Sequence, residues 1–251
     1  MGQKFLKLID KENISLSSDI YRFERSDGSA FEFVGGQYVI LNLGNDADGK
    51  SIKRAYSILS SDSKADSFQI CVKRLGTGKA SSILPKLELG AELEYSGPWG
   101  KFVGDPTWPT PGFSLILATD TGITSLAGLL LSKKFSDRLD STITVWFKTK
   151  EEDFLSEKDL RNLLSGISNF PNIFQIPSIS DPDRISAVLE ILKSILGDCT
   201  VPENAFLSGD GNILREVRSE LIRLGTLESR IGMEAFFNTQ RNPSPVASFG
   251  V

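Results

Sequence analysis

Three prolines within six residues, Pro106, Pro109 and Pro111, split this chain into two stretches with different periodicities. Neither a helix nor a central strand tolerates so many missing amide donors, so Asp105–Gly112 predicts a stiff connector and a domain boundary. Before it, the β-prone runs Phe5–Ile9, Asp19–Glu24, Phe31–Phe33, Tyr38–Leu43, Tyr56–Leu59, Phe68–Val72 and Glu92–Tyr95 are separated by clusters of Gly, Asp, Asn and Ser. Short strands at this spacing predict a small antiparallel β-barrel, with one helical insert at Ala80–Leu87 interrupted by Pro85. After it, strands at Phe113–Ala118, Thr142–Phe147, Ile173–Ile176 and Ala205–Ser208 alternate with helices at Ile123–Phe135, near Ser156–Leu164, at Arg184–Leu196 and at Asn212–Leu224. That alternation predicts a doubly wound parallel sheet with helices on both faces and ligands at the carboxyl ends of its strands. The expected architecture is β + α/β in two domains: a barrel over 1–103, a linker over 104–112, an α/β domain over 113–238 and a C-terminal extension over 239–251. The extension is read either as loose chain or as a segment folded back over the site.

Composition removes whole classes of chemistry. The chain has no histidine, which excludes an imidazole base, a Ser-His-Asp triad and histidine metal ligands. Two cysteines, Cys71 and Cys199, are too few for a four-thiolate iron–sulfur cluster, and no metal site is expected. A disulfide between them is open, with a reducing compartment the plainer reading. A net charge of −4 argues against a nucleic-acid partner. No run approaches the roughly 18 apolar residues of a membrane helix, and Met1–Leu6 carries neither a signal-peptide core nor a myristoylation pattern. The expectation is a cytoplasmic protein whose chemistry belongs to a cofactor.

Arg54-Ala55-Tyr56-Ser57 offers that cofactor a place. Alternation along a strand puts Arg54 and Tyr56 on one face and turns Ser57 away. A fixed cation suits a phosphate, a ring suits a flat π-system and a hydroxyl satisfies a ring nitrogen; together they fit a flavin nucleotide. Alone, the four residues read equally as an ordinary edge strand. At Gly78–Ser82 a glycine lets backbone approach a phosphate, and the loop enters a helix whose first amides favour an anion. A plain serine cap on a surface helix is the alternative there.

Taken in order, these segments resemble the ferredoxin–NADP reductase family over nearly the whole chain. Gly35-Gly36-Gln37-Tyr38 is similar to the family's Pro-Gly-Gln-Tyr turn, Arg54–Ser57 to its Arg-x-Tyr-Ser flavin motif, and Gly97-Pro98-Trp99-Gly100-Lys101-Phe102 to its Gly-Pro-x-Gly-x-Phe segment. Val72-Lys73-Arg74 with Gly78-Lys79-Ala80-Ser81 resembles the strand and loop that hold the flavin diphosphate. The resemblance implies FAD, with FMN left open, held by Arg54, Ala55, Tyr56, Ser57, Val72, Lys73, Gly78, Ala80, Ser81 and Ser82. It places Tyr56 against the ring and Ser57 at its N5 edge; a barrel-core tyrosine is the alternative for Tyr56.

Ala118-Thr119-Asp120-Thr121-Gly122-Ile123-Thr124-Ser125 resembles the Gly-Thr-Gly-Ile-Ala-Pro loop for the nicotinamide nucleotide, implicating Thr119, Thr121 and Gly122. Asp120 stands for a glycine and Thr124-Ser125 for Ala-Pro. A carboxylate there is expected to cap the helix while repelling a pyrophosphate. Ser208 stands where the family places a thiol beside the nicotinamide. Glu234-Ala235-Phe236-Phe237 is similar to its acidic-then-aromatic strand, with Glu234 a proton relay and Phe236 or Phe237 a ring cover, two core phenylalanines being the other reading. Catalytic roles are thus implied for Ser57, Ser208 and Glu234. Ser178-Ile179-Ser180-Asp181 replaces the Ser-Arg of NADP-selective members and Arg184 arrives late, so NADH is favoured over NADPH. The implied activity is hydride transfer from NAD(P)H to FAD, then single electrons to a separate ferredoxin, flavodoxin or oxygenase component. Lys50, Lys53, Lys73 and Arg74 are expected to steer an acidic carrier protein, a solvated rim being the alternative. A flavin-binding relative with a degenerate nicotinamide site and a free-standing oxidase or flavin reductase are the other readings.

Overall fold

The structure, a computed structural model, describes residues 3–76, 78–104, 112–150, 153–197 and 201–237. The first part forms β1 (Lys4–Asn13), β2 (Ser18–Arg25), β3 (Tyr38–Asn45), β4 (Ser51–Ser57), β5 (Ser67–Lys73), α1 (Lys79–Ile83) and β6 (Glu92–Trp99). The strands make one antiparallel sheet in the order β4-β3-β6-β1-β2-β5. It curls until its two edge strands meet: the Leu59 amide, just beyond β4, donates to the Gln69 carbonyl of β5 at 2.8 Å. Leu6, Leu8, Phe23, Val39, Leu41 and Ile70 fill the interior. Phe31–Phe33, expected as a strand, is not one. Phe31 instead stops an end of the barrel, stacked on Phe68 at 4.3 Å between ring centroids.

The second part forms β7 (Ser114–Thr119), α2 (Ile123–Leu130), β8 (Thr142–Thr149), α3 (Glu157–Leu163), β9 (Asn172–Ile176), α4 (Arg184–Leu196), β10 (Asn204–Asp210), α5 (Gly211–Leu224) and β11 (Ile231–Phe237). Its sheet is parallel throughout, ordered β11-β10-β7-β8-β9. All six residues of β7 are buried, as a strand covered on both faces requires. Leu115 and Leu117 pack with α4 and α5, whereas Ile116 and Ala118 share a core with α2, α3 and the barrel residues Ile20, Leu59, Cys71 and Phe102. The sheet is therefore doubly wound, and its chain order reverses between β7 and β10, where such folds open a crevice. The expected linker residues 105–111, Cys199 and the extension 239–251 lie outside the described residues.

α2 ends at Leu130, five residues short of the predicted Phe135. The reason lies across the interface: Asp62 takes the Ser132 hydroxyl at 2.8 Å and the Lys133 amide at 2.9 Å, diverting the chain from the helical ladder. The helix also lies unusually close to the barrel. A Cβ at Gly128 would sit 2.4 Å from the Ile58 carbonyl oxygen, so only glycine permits this approach. Ser125, three residues earlier on the same helix face, is thereby held against β4.

Candidate active site

A cleft of about 810 Å³ opens where β4 and β5 of the barrel meet the carboxyl edge of the parallel sheet, a size suited to a cofactor. β4 is an edge strand of its sheet, and residues from both of its faces reach the cleft. All of Arg54, Ala55, Tyr56 and Ser57 line it. This is more than the one face that strand alternation predicts. The strand is also displaced from expectation: it spans Ser51–Ser57 rather than Tyr56–Leu59.

Val72, Lys73, Gly78, Ala80 and Ser81 line the cleft from β5 and α1, Thr121 from the turn before α2, and Glu234 and Phe236 from β11. Four other predicted residues are not on its wall. Ser82 is exposed and donates to the Lys79 carbonyl (2.7 Å). Thr119 is buried, its hydroxyl accepting from the Asp210 amide at 2.7 Å to tie β7 to β10. Ser208 is fully buried and donates to the Gly122 carbonyl at 2.9 Å. Gly122 is backed by β10 instead of open to a ligand: a Cβ there would lie 2.3 Å from the Ser208 carbonyl oxygen. α1 is a helix of five residues, too short for a summed dipole, so any anion near it meets single local donors. Ser81 folds its approach by accepting from the Leu75 amide at 2.7 Å.

Asp120 departs most from the sequence reading. It makes no side-chain cap on α2. Its backbone takes φ 46°, the left-handed region, and its carboxylate turns inward. There it accepts from the Thr149 amide (2.8 Å) and from Arg184 Nη2 (2.5 Å), both ends of the ion pair being 3% exposed. Arg184 also donates to Thr149 Oγ1 and Pro177 O, and its Nε lies 3.7 Å from Asp210 Oδ2. One guanidinium thus joins the ends of β7, β8, β9 and β10 at the crevice. It is an internal tie, sealed from solvent, and not a cation presented to a ligand phosphate. Arg74 is likewise drawn inward, paired with Asp19 and donating to the Ser15 and Leu16 carbonyls. Lys148 is bonded to the Leu155 carbonyl and lies over the Trp146 ring.

The remaining polar feature of the wall is a row of three side chains. Ser57 Oγ and Ser125 Oγ are 2.9 Å apart, and Ser125 Oγ donates to Glu234 Oε2 at 2.9 Å. Burial pushes the Glu234 carboxyl up to about 7, against the opposing pull of the Ser125 hydrogen bond. Burial also raises the Tyr56 phenol to about 12, Arg54 opposing. It raises the Cys71 thiol too, with Asp19 and Asp159 adding, so that cysteine is a neutral wall residue. In sequence Ser125 stood out only as a departure from the Ala-Pro pattern, because the partners that give it a role are 68 and 109 residues away. A second hollow, about 360 Å³ at the Gly28 turn, contains none of the motif residues.

The fold is a two-part architecture: an antiparallel barrel, a doubly wound parallel sheet and a cleft lined by both. Residues 5–103 match the oxidoreductase FAD-binding domain family, and part of the chain is similar to ferredoxin–NADP reductases. It is 40% identical over 147 residues to ferredoxin–NADP reductase B of Sorangium cellulosum, covering 57% of each chain. It is 29% identical over 247 residues to NADH-cytochrome b5 reductase 1 of Candida albicans, 93% of this chain and 81% of that one. The match to the Sorangium protein thus spans little more than half of that protein's length. Two solved structures share the fold. They are the flavohaem-like FAD/NAD-binding domain of nitric oxide dioxygenase from Vibrio cholerae (TM-score 0.71, 16% identity, 93% of this chain and 98% of that one) and phthalate dioxygenase reductase (0.67, 18%, 94% and 68%).

The donor set fits FAD. Tyr56 and Phe236 put aromatic rings on the cleft wall, and exposed Arg54 puts a cation there.

Proposed function

We propose that the chain is a flavin-dependent oxidoreductase that takes a hydride from NADH and passes electrons singly to a separate acceptor protein. The observation that carries the reading is the convergence of the Arg54–Ser57 edge strand with Glu234–Phe237 of β11 and Thr121 in one cleft. FAD, when bound, supplies the conversion of one hydride into two single-electron transfers. Arg54 at the rim holds the diphosphate; Tyr56 and Phe236 fix the ring; Ser57 meets its polar edge; Glu234 supplies and recovers a proton. Thr121 and Thr124 offer the nicotinamide nucleotide its contacts from the start of α2. NADH is preferred because Arg184, the arginine nearest in sequence to a 2′-phosphate position, is already paired with Asp120.

The acceptor is proposed as a small acidic carrier or an oxygenase component, in keeping with relatives named as ferredoxin–NADP reductase B and as a glycine betaine monooxygenase reductase subunit. Lys50 and Lys53 are exposed near β4 and suit such a partner; Arg74, engaged by Asp19, does not. A second reading, a flavin-binding relative that NAD(P)H does not reduce, draws on the same Asp120–Arg184 tie across the crevice.

One titration separates the readings. Purified protein is loaded with FAD and treated anaerobically with NADH, then NADPH, while visible absorbance is followed. Bleaching by NADH at lower concentration than by NADPH supports the proposal. Bound flavin that neither coenzyme bleaches selects the second reading, and failure to bind FAD removes both.

A further inference from the structure

The Ser57–Ser125–Glu234 row crosses three elements: Ser57 ends β4, Ser125 lies on α2 and Glu234 on β11. Among the described residues no hydrogen bond joins Ser57 to Glu234 directly; Ser125 stands between them at 2.9 Å from each. Ser125 is fully buried, Ser57 is 7% exposed and lines the cleft, and Glu234 is half-buried. A hydroxyl that both donates and accepts can pass polarity along such a row. When Glu234 is ionised it only accepts, so Ser125 points its proton at Glu234 and Ser57 points its own at Ser125. When Glu234 is protonated it donates to Ser125, Ser125 donates to Ser57, and Ser57 points its proton into the cleft.

We infer that Ser125 is the relay residue of a three-member proton path, through which the protonation state of Glu234 decides whether Ser57 offers the bound ligand a donor or a lone pair. The inference rests on the reading that a flavin lies against Ser57. In a transfer, Glu234 gives its proton to Ser125 Oγ while Ser125 gives its own to Ser57 Oγ and Ser57 gives its own to the ligand atom above it. The ligand gains one proton, both hydroxyls are restored, and the carboxylate regains a proton from solvent. Ser125 occupies the position of proline in the motif this loop resembles, and proline carries no hydroxyl, so the path depends on this chain's own departure from that pattern.

The other titratable groups facing this region are Tyr38 from β3, Arg54 and Tyr56 from β4, Cys71 and Lys73 from β5, and Asp120 before α2. Asp120 is turned onto Arg184, and among the described residues Ser125 is the recorded hydrogen-bond donor to Glu234. Burial holds the Glu234 carboxyl near neutrality, where it changes state under ordinary conditions.

The test is a double-mutant cycle on flavin-free full-length protein with ¹³C-labelled glutamate, the Glu234 carboxyl signal being assigned by its loss in Glu234→Gln and titrated by NMR. Ser125→Ala should raise its midpoint by about 0.5–1 unit, the loss of one hydrogen bond to the charged form. Ser57→Ala should raise it by less, and only while Ser125 is present; Ser125→Thr, which keeps the hydroxyl, should restore both effects. In FAD-loaded protein the pH profile of flavin reduction should move with the NMR midpoint. An unmoved midpoint in Ser125→Ala, or an equal Ser57→Ala shift with and without Ser125, overturns the inference. Should Ser125→Thr not fold, the comparison between Ser57→Ala in the two backgrounds decides alone. Because the NMR arm needs no cofactor, failure of the flavin reading would appear separately, as absent FAD binding with the cycle intact.

Discussion

At the scale of single residues, the most consequential side chain is Arg184. Its guanidinium is 3% exposed and faces two buried carboxylates, Asp120 and Asp210. Removing one member of a buried charge cluster leaves the others uncompensated in low dielectric, which costs about 3–5 kcal/mol. Arg184→Met should therefore lower stability by that amount in urea unfolding, and a loss below about 1 kcal/mol would mean the ion pair is not formed. Glu234 gives a second prediction, with a definite sign. Its folded-state value near 7 lies above the 4.5 of an ordinary glutamate, so between those values the folded protein binds more protons than the unfolded one. The Glu234 contribution to stability is fully present below about pH 4.5 and is lost as pH rises towards 7. Glu234→Gln should remove that slope: wild type minus variant stability should fall by on the order of 1–3 kcal/mol from pH 4.5 to 7.5. Arg54, Tyr56 and Ser57 were legible in the sequence because their chemistry is local to one strand. The roles of Arg184 and Ser125 were not, because their partners lie 64 and 68 residues away and only the fold brings them together.

Among the elements, α2 decides whether the site exists, since it carries Ser125 and Thr124 and follows directly on Thr121. Its position is fixed from both ends. Asp62 of the barrel grips Ser132 and Lys133 beyond its carboxyl end, and Gly128 admits the Ile58 carbonyl to its flank. A methyl at Gly128 cannot be absorbed by a flexible side chain, because the atom it meets is backbone. Gly128→Ala should thus cost about 1–3 kcal/mol by overpacking and lengthen the Ser57–Ser125 contact. Unchanged stability together with an unchanged Glu234 titration would contradict this docking. Apolar periodicity and apolar runs revealed that α2, α4, α5 and the strands β7, β8, β9 and β10 exist, because each carries apolar residues into a core. Element ends were less legible. β4 starts at Ser51, where exposed Lys53 and Arg54 carry no apolar alternation, and the end of α2 is set by Asp62, 70 residues before Ser132.

At the scale of the whole molecule, the cleft draws its wall from β3, β4, β5 and α1 on one side and from the α2 turn and β11 on the other. Behind it, one apolar core continues from Ile20, Leu59, Cys71 and Phe102 of the barrel to Ile116, Leu126 and Trp146 of the α/β part. A continuous core predicts one cooperative transition, and a ligand touching both walls should raise that transition as a unit. At 100 times its dissociation constant FAD would add about 2.7 kcal/mol, or about 5–10 °C in Tm for a chain of this size. Arg54 is exposed, and among the described residues its side chain donates to the Lys53 carbonyl at 2.8 Å. Arg54→Ala should then leave the flavin-free Tm within about 2 °C of wild type. Under the proposed diphosphate role of Arg54, the same change should weaken binding about tenfold or more and cut the FAD-induced gain by about half or more. Thermal scans with and without FAD, followed both by far-ultraviolet dichroism and by flavin fluorescence, measure all of these terms. Two separated transitions would show the core to be divided at the cleft. A full FAD-induced gain in Arg54→Ala would show that the diphosphate is held elsewhere, with Gly78 and Ser81 the donors that the same cleft then offers.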